Sequence, residues 1–126
     1  MRKKSTVAFD FILDYLTPAS PVTKPMFGCH SVYVGEQIVL ILRKKIPADS
    51  DNGMWIATDI PHHTSLKKEF PAMRPIRIFG EKGSKWQLIP EESDDFESAA
   101  LRICELILKG DPRIGKIPVK KKKKKA

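Results

Sequence analysis

The feature that most constrains this chain is the run Ile38-Val39-Leu40-Ile41-Leu42, five consecutive apolar residues, with Val32-Tyr33-Val34 shortly before it and Gly35-Glu36 between the two. β-Branched and aromatic residues favour extended backbone, and Gly35 can take the positive φ of a tight hairpin turn. The two runs therefore read as an antiparallel pair. Successive side chains of a strand point to opposite faces, so Ile38, Leu40 and Leu42 are expected on one face and Val39 and Ile41 on the other. A strand that is apolar on both faces lies centrally in a sheet that needs cover on both sides. The rest of the chain reads as that cover, with residues 22–45 at its centre.

Ser5 or Thr6 can cap a first helix in which Phe9, Ile12, Leu13 and Leu16 recur at helical spacing, widened by Phe11 and Tyr15. Pro18 stops it near Thr17, and residues 17–25, interrupted by Pro18, Pro21 and Pro25, read as a connector. After the hairpin, Asn52-Gly53 signals a turn before a short strand over residues 54–58. Asp59-Ile60-Pro61 starts a short helix, with Asp59 as N-cap, that ends at Phe70 before Pro71. Residues 73–79 and 85–89 form a second hairpin around Gly80 and Gly83. Asp94 with Glu97 resembles a capping box opening the last helix, whose Phe96, Ala99, Ala100, Ile103, Cys104, Ile107 and Leu108 form one stripe. Residues 113–119 are then expected to lie extended across the body through Ile114, Ile117 and Val119.

The order αβββαββα predicts a two-layer α+β fold with an antiparallel sheet, one domain over residues 1–119 and a disordered Lys-rich tail over residues 120–126. The terminal helices would cover one sheet face. The short helix, residues 113–119 or a second protomer would cover the other, so a homodimer or protein partner is part of the expectation. No apolar run approaches the ~18 residues of a membrane-spanning helix, and the N-terminus lacks a small-residue cleavage site. A cytoplasmic location follows as the expectation.

The formal net charge of +8 is unevenly distributed. Arg2, Lys3 and Lys4 at one end, with Lys120, Lys121, Lys122, Lys123, Lys124 and Lys125 at the other, supply nine positive charges, and without them the body stands at −1. Any nucleic-acid binding is therefore predicted to reside in the ends. Six flexible cations near phosphates release counterions and bind without reading sequence. The plainer alternative is a solvated tail that serves solubility.

Val22-x-Lys24-Pro25-Met26-Phe27-Gly28, followed by a hairpin, resembles the Arg-x-Met-Phe-Gly-Gly motif that leads into the sheet of the TfoX N-terminal domain family. Leu88-Ile89-Pro90-Glu91-Glu92, running into the last helix, is similar to that family's strand, proline and acidic turn. The related MmcQ/YjbR group shares a similar layout. Two positions depart from the family pattern: Lys24-Pro25 replaces the basic residue before Met-Phe-Gly, and Cys29 replaces the second glycine. The resemblance implies a secretion-chaperone-like α+β fold and a regulatory role without catalysis. It assigns Met26, Phe27 and Gly28 a structural part and supplies no catalytic residue.

Other constellations have simpler readings. His62-His63, His30, Cys29 and Cys104 have metal-ligating atoms, but helical neighbours point ~100° apart and no CxxC or HxxxH spacing is present. Cys29 and His30, as nucleophile and base, would face opposite sides of a strand. Glu91-Glu92 and Asp94-Asp95 sit where a helix N-terminus favours negative charge. Trp55, Trp86 and Phe79, with Arg77 and Lys85, could stack single-stranded nucleic acid, although core packing explains the tryptophans more simply. The expectation is a non-enzymatic protein with no cofactor, no metal and no small-molecule ligand.

Overall fold

The computed structural model describes residues 8–26, 28–45, 51–78 and 85–117. These form helix α1 (Phe11–Tyr15), strands β1 (Val22–Met26), β2 (Cys29–Val34), β3 (Gln37–Arg43) and β4 (Gly53–Ile56), helix α2 (His63–Glu69), strands β5 (Arg74–Pro75) and β6 (Gln87–Pro90), and helix α3 (Phe96–Leu108). The strands make one antiparallel sheet in the order β1-β2-β3-β4-β6-β5. This is the expected α+β class, with β3 at the interior of the sheet.

Three expectations need correction. Residues 22–25, part of the stretch 17–25 expected as connector, form strand β1 with Met26, because Pro25 lies on the sheet edge where a missing N–H leaves no ladder bond unmade. The first helix is one short turn and a half, since Phe9 adopts φ 57 and Thr17–Ala19 tightens into a 3-10 turn. Phe9 is held there by its ring against Phe96, with centroids 5.0 Å apart. The capping sites Ser5 and Thr6 lie outside the described residues. Finally, Asp94 does not cap α3: Asp95 is the N-cap and its side chain makes no capping bond, accepting instead from the Ser93 hydroxyl.

The strict alternation expected in β3 also fails, for one reason. A bulge shifts the register between the pairs Val32↔Leu40 and Tyr33↔Ile38, leaving Val39 as the extra residue. Val39, Leu40 and Leu42 then join the larger core, while Ile38 and Ile41 join the smaller one.

The larger core lies under all three helices. Ile12 and Leu16 of the first helical segment, Leu66 of α2, and Ala100, Ile103 and Cys104 of α3 are fully buried against Leu40, Met54, Ile56 and Ile89. The α3 end is fixed by Gly110 at φ 75: its N–H bonds the Ile107 carbonyl at 2.9 Å and the Asp111 N–H bonds Leu106 at 3.0 Å. The segment after it, expected to lie extended through Ile114, Ile117 and Val119, begins in a turn; Ile114 is buried, Ile117 is exposed and Val119 lies outside the described residues. Lys116 exchanges two backbone bonds with Ile38, and the Gly115 N–H donates to Ala57, taking over the flank of β3 beyond β4. The Arg113 guanidinium ties this segment to α2 through Glu69 at 2.7 Å and to Asp111 at 2.8 Å.

The second sheet face is covered differently from expectation. Leu66, Phe70 and Ile114 all belong to the helix-covered core, so neither the short helix nor Ile114 covers this face; residues 118 and 119 lie outside the described residues. The cover is Ile76 and Trp86, from the two sides of the β5–β6 hairpin.

Candidate functional site

The register of the sheet assembles a site on this second face. One cross-strand row holds Met26, Cys29 and Arg43, since Met26 pairs with Cys29 and the neighbouring pair His30↔Leu42 sets Arg43 opposite Cys29. The adjacent row places Ile41 beside Trp55 and Trp55 beside Leu88. Lys45, Ile78 and Trp86 rise around these rows and enclose a recess of about 380 Å³.

Charge and aromatic surface meet in that recess. Arg43 is buried, its guanidinium carbon 5.8 Å from the Trp55 ring centroid and its Nη1 3.6 Å from the Cys29 sulfur. The Trp55 and Trp86 rings lie 6.1 Å apart at 59°. Lys45 enters over Gly28: a Cβ at that glycine would stand 2.6 Å from the Lys45 Nζ, and Gly28 also holds φ 78. The motif residues Met26 and Gly28 thus have a local purpose, one as wall and the other as the turn residue whose positive φ suits glycine. Phe27 lies outside the described residues.

A buried carboxylate holds the cover in place. Asp51 accepts from the backbone N–H groups of Arg77 at 2.9 Å and Ile78 at 2.8 Å and pairs with Arg74 at 3.3 Å, while its carbonyl receives the Trp55 indole N–H at 2.9 Å. Asn52 closes the loop beneath by accepting from the Lys45 N–H at 2.9 Å and donating to its carbonyl at 3.1 Å. Asn52-Gly53 was read as a turn. Gly53 instead begins β4 at φ 142, where a Cβ would lie 2.3 Å from the Ile89 carbonyl oxygen, so glycine is required by strand contact.

The other sequence candidates are dispersed. Cys29 sits on the recess face, whereas its neighbour His30 shares the opposite face with Leu42, which separates the supposed nucleophile and base. Cys104 is in the helix-covered core, where burial and then Glu105 push its thiol up to about 12. His63 faces the Lys85 carbonyl at 3.2 Å. Among the described residues, no three His, Cys, Asp or Glu side chains gather as a metal site. Trp55 is packed and Trp86 half-buried; Phe79 lies outside the described residues. So do Arg2, Lys3, Lys4 and Lys120 to Lys125, the predicted nucleic-acid-binding residues. Among the described residues, no helix is long and apolar enough to cross a membrane.

Sequence reasoning missed Asp51, Arg43 and Lys45 as a group. Their signal was weak: a cation at the end of an apolar strand and one acid in a polar loop acquire meaning only when β3, β4 and the β5–β6 hairpin are aligned. No protein-family model, curated protein or solved structure matches the chain.

Proposed function

We propose that the protein is a non-enzymatic regulatory or interaction module of the TfoX N-terminal kind, whose contact with nucleic acid is electrostatic and made by its basic ends. The observation behind this reading is the separation of charge. In the body, several cations are matched by nearby acids: Lys44 pairs with Glu91, Lys85 and Lys116 with Asp59, Arg102 with Glu69 and Glu105, and Arg113 with Glu69 and Asp111. The six-lysine run contains no acid at all. A near-neutral body leaves the ends to set the field that a polyanion meets first.

The test is binding of duplex DNA across a salt series, with the full chain and with residues 120–125 removed. Neutralising about six phosphates gives a slope of log K against log salt of about −5, which the deletion should largely abolish. A slope unchanged by the deletion would sink the reading.

A further inference from the structure

The recess on the second sheet face is unrelated to the charged ends. We propose that it binds a small organic anion with a flat apolar body, such as an aromatic carboxylate.

Size, lining and charge all point to this class. A volume of about 380 Å³ lies toward the small end of the ~300–1000 Å³ common for ligand sites, which suits a one- or two-ring molecule. Ile41 and Trp55 make an apolar floor, and Trp86, Met26 and Ile78 make walls against which a ring can lie. Among the described residues of the lining, the two charged side chains, Arg43 and Lys45, are cations. Asp51, in the supporting structure, is turned to Arg74 and to the N–H groups of Arg77 and Ile78. Its charge is thereby engaged in holding the rim.

The two cations have separate parts. Arg43 lies in the floor, held in contact with Cys29 and the Trp55 ring. Lys45 is half-buried at the edge, with its backbone anchored by Asn52 and its ammonium free to turn above Gly28. An anionic head would be met by Lys45 while the ring lies on the Trp55 floor against the Trp86 wall. Charge-assisted bonds of this kind are about twice as strong as neutral ones, so the head group should decide selectivity.

The chain contains two tryptophans, Trp55 and Trp86, and both line the recess; of its two cysteines, Cys29 lines it and Cys104 does not. Occupancy can therefore be read without a label. Naphthalene-2-carboxylate is titrated into the full-length ¹⁵N-labelled protein, with naphthalene-2-carboxamide as the neutral comparison. Both indole N–H resonances should shift saturably with the carboxylate below about 1 mM, and Cys29 should be shielded from iodoacetamide. Lys45→Met, which keeps the length and removes the charge, should weaken carboxylate binding about tenfold and leave the carboxamide unchanged. Lys67→Met on α2 serves as the charge control and should change neither.

Absence of indole shifts up to about 10 mM would overturn the proposal. So would equal affinity for the carboxamide, or equal effects of Lys45→Met and Lys67→Met. Removing residues 120–125 should not alter this titration, which keeps its outcome independent of the nucleic-acid reading.

Discussion

The two faces of the sheet are built by opposite means. Under the helices, long apolar side chains from three helical elements interlock with β3, β4 and β6, and the interior is closed. On the other face a short segment is suspended from one carboxylate over a row containing arginine, and a recess remains. Apolar burial alone fills space but is non-directional; the directed bonds of Asp51 hold backbone at a set height while leaving a volume below it unfilled. Each face also contains one cysteine, so the same chemical group reports on both.

The largest contrast should appear in thiol chemistry. At pH 8, Cys104, with its thiol raised to about 12, exists as thiolate in only about one molecule in ten thousand, and it is fully buried. Under native conditions iodoacetamide should modify Cys29 at least a hundredfold faster than Cys104, read by mass spectrometry of peptides, because labelling Cys104 requires opening of the core. Equal rates would abolish the distinction between a recess and a closed interior.

Next comes the clamp. Asp51→Ala leaves the Arg77 and Ile78 N–H groups and the Arg74 guanidinium without this acceptor, and should lower the unfolding free energy by about 3–5 kcal/mol in urea. A loss under about 1 kcal/mol would mean that the cover does not depend on this residue. Truncations compare the faces directly. Ile103→Ala in the fully buried core should cost about 2–5 kcal/mol, whereas Ile78→Ala, at a position 48% exposed on the recess rim, should cost less than about 1 kcal/mol.

The smallest effect concerns the strap that follows α3. The Arg113 guanidinium bonds Asp111 and holds its carboxyl below the usual carboxylate range. A depressed folded-state pKa gives stability that is present above the ordinary value of about 3.9 and is lost as pH falls through the lower folded value. Asp111→Asn should therefore cost about 1 kcal/mol at neutral pH and converge with the parent protein toward pH 2, as measured by urea titrations at several pH values. A constant difference across that range would assign the effect to packing.

How far the sequence disclosed this molecule follows the same division. Helix-face residues such as Ile12, Leu16, Ala100 and Ile103 announce themselves by period, because each helix needs one stripe and repeats it. The central position of β3 was visible in five apolar residues. Its bulge was not, since an extra residue is a property of the pairing with β2 and leaves no local trace in Val39. β1 was hidden by Pro25, whose penalty within a sheet vanishes at an edge. The recess was least legible: Met26, Cys29, Arg43 and Trp55 come from separate strands and share no spacing. Asp51 resembles any loop acid until the backbone it receives, more than twenty-five residues later, lies beside it.

The prolines of β1 and β5 have a consequence beyond local geometry. Pro25 and Pro75 stand in the two outermost strands, one at each edge of the described sheet. A growing cross-β assembly adds each chain through an uninterrupted series of backbone donors, and here both growth fronts lack one. In the folded state, templating of a further strand on either of these edges is thereby disfavoured.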